Sequence, residues 1–293
     1  MSQTAIPRLF DQDALRLHAE RAAKAGVKAD FLLQRANADL ADRLAVVLRD
    51  FEHRLDLGTP LPLAAEWLAQ RQGQLTRLVP PGYPAGTGPW INIDNPLDVL
   101  PITHESLDLV VSLLALQTVD DLPGTLIQIR RALKPDGLFI ACLLGGDTLT
   151  ELRQSFLEAE MEIEGGASPR VAPFADLRDC GALLQRAGFA LPVTDVDRVI
   201  VRYDNPFALM RDLRAMGATN PLAQRRKTML RRATLMKAAE IYAARFSDAD
   251  GRVRATFDLV WISGWSPHES QQKPLKPGSA KMSLAEALKS KQK

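Results

Sequence analysis

Residues 55–60 read Leu-Asp-Leu-Gly-Thr-Pro, an acid and a glycine closing a short apolar run. A glycine at such a turn can adopt φ > 0 and lets a ligand approach the backbone closely. A second block, Gly145-Gly146-Asp147-Thr148, follows another apolar run and precedes a helical pattern. Asp147 suits a helix N-cap, Glu151 falls near the capping-box position, and Arg153 can pair or reach a cleft. The glycines beside Asp147 equally suit a substrate loop or a close-packed backbone. Glu158, Glu160, Glu162 and Glu164 alternate along the same helix, so they do not converge on a metal and predict a solvated acidic face. His18, His53, His104 and His268 are isolated, and neither His104-Glu105 nor His268-Glu269 extends to a zinc-protease motif. Cys142 and Cys180 form neither a zinc pattern nor a disulfide framework, which predicts a reducing compartment. No metal site is expected, and no side chain is assigned as catalytic.

Loops of this kind act when they sit beyond the carboxyl ends of strands in an open α/β sheet. The chain supplies such strands. Short apolar runs at Arg54–Leu57, Leu75–Val79, Trp90–Ile93, Leu107–Ser112 and Leu138–Leu144 alternate with helical patterns. Val193–Tyr203 and Ala255–Trp265 predict two more strands. Helices are expected within 10–50 and over Leu61–Gln70, Pro123–Leu133, Leu149–Leu157, Ala175–Ala187, Pro206–Met216 and Leu222–Arg245. Lys134-Pro135-Asp136-Gly137 reads as a stop-and-turn signal. The expected organisation is a helical segment over 1–50, an α/β domain over 51–270 with a helical insertion around 205–246, and a basic tail over 271–293.

Composition excludes other classes. The 293 residues are 46% hydrophobic and 25% charged, which rules out disorder, collagen and small disulfide scaffolds. No apolar stretch approaches the roughly 20 residues of a membrane-spanning helix. Asp11, Asp13, Glu20 and Asp30 are too many acids for an organelle transit peptide, so a soluble, cytoplasmic protein is expected. The net charge of +2 hides a segregation. Residues 1–221 carry 22 basic and 29 acidic side chains, whereas 222–293 carry 15 and 6. Arg225, Arg226, Arg231 and Arg232 concentrate this charge on the predicted helix Leu222–Arg245. They suggest a partner-binding surface or a solvated face. No nucleic-acid module accompanies them.

Leu-Asp-Leu-Gly at 55–58, Leu-Pro at 122–123, Gly-Gly-Asp-Thr-Leu at 145–149 and Arg-Ala-Gly-Phe at 186–189 together resemble a class I S-adenosylmethionine-dependent methyltransferase. Within that superfamily the chain is most similar to the complex I (NADH:ubiquinone oxidoreductase) assembly factor 5 family. The resemblance implies a Rossmann-like α/β fold with a seven-stranded, mostly parallel sheet and helices on both faces. It also implies adenosylmethionine as cofactor and a protein partner, a respiratory complex I subunit, with arginine hydroxylation as an alternative to methyl transfer. Carried onto this sequence, the cofactor would meet Asp56, Gly58, Thr59, the Asp94–Asn95 region, Leu116 and Gln117. Asp56 would orient the glycine turn or approach the cofactor's amino group. Gly145, Gly146, Asp147, Thr148 and Arg153 would face the substrate or partner.

The residues depart from that pattern. The usual Gly-x-Gly-x-Gly loop keeps only Gly58; Pro60 and Pro62 stand where glycines are common, and each proline removes a donor. No acid lies between Glu66 and Asp94, so the carboxylate that would accept both ribose hydroxyls at the end of strand two is missing. Each lost charge-assisted bond is worth about 1.5–3 kcal/mol. Gln117-Thr118 replaces a common His-Trp pair, removing a base and a stacking ring. These departures predict weak or absent cofactor binding. A non-catalytic scaffold that kept the fold is the rival expectation.

Overall fold

The computed structural model describes residues 8–26, 29–84, 88, 90–93 and 97–272. Seven strands form one sheet: β1 (His53–Leu57), β2 (Gln74–Val79), β3 (Trp90–Asn92), β4 (Leu107–Leu113), β5 (Leu133–Leu144), β6 (Ala190–Tyr203) and β7 (Val253–Trp265). Their order is β3-β2-β1-β4-β5-β7-β6, with β7 antiparallel to both neighbours and the others mutually parallel. The seven-stranded α/β fold expected from the sequence is the observed one. The central strands read as nearly continuous apolar runs because helices cover both faces.

On one face Leu55, Leu57, Val110 and Phe139 pack under α4 (Leu122–Ala132) and α6 (Leu177–Arg186). On the other, Leu109, Val111, Ile140 and Trp261 meet α2 (Phe31–Ala45) and α3 (Leu63–Ala69). Helix α2 thus belongs to the core of the sheet, while α1 (Gln12–Ala25) lies against α7 (Pro206–Ala215). No helix among the described residues is long and apolar enough to cross a membrane.

Pairing of β5 with β7 ends at Leu144–Leu259, but β6 continues beside β7 to Tyr203–Val253. This extension projects past the carboxyl ends of the parallel strands. It carries α5 (Thr150–Glu164), α7 and α8 (Arg232–Phe246) around Tyr242 and Phe257. The insertion therefore overhangs the edge where a site is expected.

Three local expectations are corrected. Helix α8 starts at Arg232, not Leu222. Lys134–Gly137 follows the end of α4 at Ala132, as a helix stop should, but the strand starts at Leu133 rather than Leu138, so the segment forms a bulge within β5 where Leu107 and Leu109 pair with Leu133 and Leu138. Asp136, at φ +64, keeps that bulge tied to the sheet by donating its N–H to Ser266 O at 3.1 Å. Asp147 does not cap α5: the N-cap is Leu149, at φ +56, and it makes no side-chain capping bond.

Candidate functional site

The loop after β1 is built on Gly58, whose φ of +72 needs a glycine. Its N–H donates to Leu78 O at 3.0 Å, so the turn is held to β2. A Cβ at this position would lie 2.6 Å from Leu97 Cδ1, which places an apolar side chain against the open side of the glycine. Asp56 is fully buried, in register with Arg77 on β2. It accepts from Thr59 Oγ1 and, at 3.1 Å, from Arg77 Nε. Arg77 is also fully buried and donates through Nη2 to Thr59 O at 2.7 Å. Thr59 Oγ1 in turn accepts Leu113 N–H at 3.2 Å. Burial pushes the Asp56 carboxyl up to about 6, against the pull of Thr59 and Arg77. Its hydrogen bonds tie it to the residue after the glycine turn and to β2, and its side chain has no exposed surface.

Beyond this closed loop lies a cavity of about 920 Å³. Gly58, Pro60, Pro80 and Leu114 form its floor at the carboxyl ends of β1, β2 and β4. Helices α1 and α2 contribute one wall, and Leu152, Phe156, Met210 and Leu213 of α5 and α7 another. The lining is mainly apolar, and its position matches the ligand crevice of open α/β sheets. Leu114 and Leu149 both line it in the left-handed region, at φ +51 and +56. Such strain costs about 1–2 kcal/mol per residue, and it persists where surrounding structure imposes it, often at functional sites.

Of the expected cofactor residues, Gly58 and Gln117 line the cavity, whereas Asp56, Thr59 and Leu116 are buried away from it. Asp94 and Asn95 lie outside the described residues. At the end of β2 the cavity meets Pro80 and Pro81 rather than a carboxylate.

The Gly145–Thr148 block does not line the cavity. It clamps the end of β5 to β7. Gly145 N–H donates to Asp258 O at 2.8 Å, and Thr148 Oγ1 accepts Asp258 N–H at 3.0 Å. Arg198 bridges the pair, donating to Asp258 Oδ1 at 2.8 Å and to Asp147 Oδ2 at 2.5 Å. Glu151 leaves the capping-box position to accept from Thr256 N–H and Oγ1, at 3.1 and 2.5 Å. Arg153 donates to backbone oxygens of Thr148 and Ala172, 3.4 and 3.2 Å away, and stays out of the cavity. A Cβ on Gly145 would lie 2.2 Å from Val260 Cγ2. Gly145→Ala should therefore destabilise the protein by about 1–3 kcal/mol through overpacking. Adding Val260→Ala should recover part of that loss in denaturant unfolding, which a purely ligand-binding glycine would not do.

Most of the basic residues also have acidic partners within the fold. Arg225 pairs with Asp11 at 2.8 Å, tying the start of α1 to the insertion and holding that carboxyl below its ordinary range. Arg226 and Arg231 reach Glu164 at 3.1 and 3.6 Å, Lys237 reaches Glu162 at 3.1 Å, and Arg245 reaches Glu158 at 2.7 Å. Glu160 is buried, accepting Arg170 Nε at 2.7 Å and Ser168 N–H at 2.6 Å. The acidic and basic stretches thus neutralise each other across α5 and α8. Of the expected solvated acidic face, the Glu158 and Glu162 side chains stay substantially exposed whereas those of Glu160 and Glu164 are buried, and reversing these arginines would break contacts within the fold. Arg232 remains exposed.

Sequence reasoning missed Arg77, Leu97 and Arg198. Arg77 alone gave a signal: a charge inside Leu-Thr-Arg-Leu-Val, a run predicted to be a central strand.

A family model described as a methyltransferase domain matches residues 87–141. The chain is 39% identical over 273 residues to the zebrafish (Danio rerio) protein named Arginine-hydroxylase NDUFAF5, mitochondrial, covering 89% of this chain and 83% of that one. For the human protein of the same name the identity is 38% over 286 residues, covering 95% and 83%. A malonyl-[acyl-carrier protein] O-methyltransferase from Xylella fastidiosa is 39% identical over 168 residues, 57% of this chain and 55% of that one. Among solved structures, the YcgJ protein of Bacillus subtilis aligns with a TM-score of 0.53 at 13% identity, over 80% of this chain and 99% of that one, a likeness of fold alone.

Proposed function

Since the chain belongs to the NDUFAF5 arginine-hydroxylase family, we propose that it takes an arginine side chain of a protein partner into the cavity beside Gly58 for modification there. The observation that carries this reading is a large, preformed, mainly apolar cavity at the carboxyl edge of the sheet, next to a cofactor loop that is shut. A respiratory complex I subunit is the partner we propose, on the family's resemblance.

Adenosylmethionine is the cofactor that the fold family implies, and the residues present do not fit its ordinary mode of binding. Its ribose hydroxyls would meet Pro80 and Pro81, which offer neither charge nor acceptor side chain. Its approach to Gly58 runs into Leu97. Asp56 and Thr59 are committed to Arg77. No catalytic step is assigned to that cofactor.

Partner proteins isolated from cells with and without this chain, digested and analysed by mass, test the proposal. The expected result is an arginine that gains one oxygen only when the chain is present. A gain of one methylene group instead would point to a methyltransferase and overturn the reading. A bound partner that gains neither would favour the second reading, a non-catalytic assembly protein, which the shut loop also supports.

A further inference from the structure

We infer that the wall of the cavity formed by α5, α7 and the segments beside them holds a long-chain carboxylate, with its tail on apolar side chains and its head group on Arg214. The charges that line the cavity are segregated. Its two carboxylates, Asp13 and Asp30, belong to α1 and to the N-cap of α2. Among the described residues the opposite wall contributes no acid, and it contributes Arg170 and Arg214. The third arginine of the lining, Arg16, sits on α1 and is answered by Glu20 at 3.0 Å and Asp13 at 3.7 Å. Arg170 is likewise committed, donating through Nε and Nη2 to the buried Glu160. Arg214 is not: among the described residues it has no ion pair and no side-chain hydrogen bond.

An arginine in the last turn of a helix commonly bonds the final carbonyls. Here backbone amides do that: Ala218 N–H donates to Leu213 O at 2.8 Å and Gly217 N–H to Arg214 O at 3.1 Å. Arg214 is exposed whereas Leu213 beside it is buried, so α7 carries charge at the rim of the cavity and apolar surface within it. Asn220 Nδ2 donates to Pro169 O at 2.8 Å and ties the segment after α7 to the one that bears Arg170. Phe156, Met210, Met216 and Leu230 extend the wall, and the last three are only half-buried. An aliphatic chain gains by displacing water from such surface, and flexible Met and Leu side chains adapt to its shape. A guanidinium takes a carboxylate through two parallel N–H···O bonds, and at the rim the head group keeps part of its hydration. The cavity, at about 920 Å³, is large for a small-molecule site. A tail on this wall therefore leaves the floor beside Gly58 to the side chain being modified, and neither occupant depends on the other.

The test is calorimetric titration of the full chain with laurate below its critical micelle concentration. Dodecyltrimethylammonium carries the same tail with the opposite charge, butyrate the same head group with little tail, and dodecyl phosphate a different anion on the same tail. Wild type should bind laurate at least tenfold more tightly than each of the three. Arg214→Gln should lower laurate affinity at least tenfold and leave dodecyltrimethylammonium unchanged, while Arg214→Lys should retain part of the laurate affinity. Circular dichroism should show both variants folded. A laurate analogue bearing a diazirine on its chain, photolysed on the protein and mapped by mass, should mark Phe156, Met210 or Leu230. No binding of laurate by wild type, equal binding of dodecyltrimethylammonium or butyrate, or unchanged affinity in Arg214→Gln would overturn the carboxylate site. Tighter binding of dodecyl phosphate would overturn the choice of head group, and adducts confined to residues outside the cavity would overturn its place. Whether a partner arginine gains oxygen is measured separately, so the two readings fail separately.

Discussion

Replacing Arg77 by methionine should lower the stability of the protein by about 3–5 kcal/mol at neutral pH, the usual consequence of stranding one member of a buried ion pair. Methionine preserves much of the length and volume of the side chain, so the loss would come from charge rather than packing. Asp56 would keep the Thr59 hydroxyl but lose Nε of Arg77, and Thr59 O would lose its donor. Natural domains are stable by only about 5–15 kcal/mol, so the deficit should be visible in urea unfolding and as a large drop in melting temperature.

The effect carries a pH signature. Burial raises the Asp56 carboxyl to about 6 in the folded state, above its unfolded value. The folded state therefore binds this proton more tightly. The associated stability is fully present below the unfolded value, near 4, and is lost as pH rises through about 6. Without the guanidinium the folded value rises further, so the Arg77→Met deficit should be smallest in mild acid and largest above neutrality. Asp56→Asn combined with Arg77→Met should recover much of the loss, since no buried charge remains. A deficit under about 1 kcal/mol that does not vary with pH would refute the assignment of Arg77 as the staple of this loop.

The sheet was legible in the sequence because its central strands β1, β4 and β5 are apolar runs bounded by turn chemistry, and such runs report burial directly. The side-chain pairings were not, because they join residues far apart in the chain. Arg77 and Asp56 are 21 residues apart, and Arg198 lies 51 and 60 residues from its partners Asp147 and Asp258. Spacing along one helix reads Glu158, Glu160, Glu162 and Glu164 only against one another. It could not disclose that α8 lays Arg245 and Lys237 against Glu158 and Glu162. The Gly145–Thr148 block illustrates the same limit: its residue types suit a substrate loop, and its hydrogen bonds make it a clamp. The absence of an acid after β2, by contrast, was a local fact and reads identically in both.

Adenosylhomocysteine should not bind the wild-type chain at micromolar concentration, and two substitutions should reopen its place. Pro80 is the first residue after β2 and lines the cavity, so Pro80→Asp restores a carboxylate where the ribose hydroxyls would lie. A charge-assisted hydrogen bond contributes about 1.5–3 kcal/mol, which corresponds to roughly tenfold to more than a hundredfold in affinity. Leu97→Ala removes the methyl group that would stand 2.6 Å from a Cβ on Gly58. Leu97 is buried, so this change also lowers stability by about 2–5 kcal/mol, and the titration must be run well below the melting transition. Pro80→Asn separates charge from polarity and should give less than Pro80→Asp. Because the two lesions are distinct, one electrostatic and one steric, the double variant should exceed either single one. Micromolar binding by wild type would mean that the ribose is held without an acid and that Leu97 yields, which would return this chain to the cofactor chemistry of its fold relatives. No gain in the double variant would shift the obstruction to the Asp56–Thr59–Arg77 cluster, whose closed hydrogen bonds leave the loop no freedom to turn its donors outward.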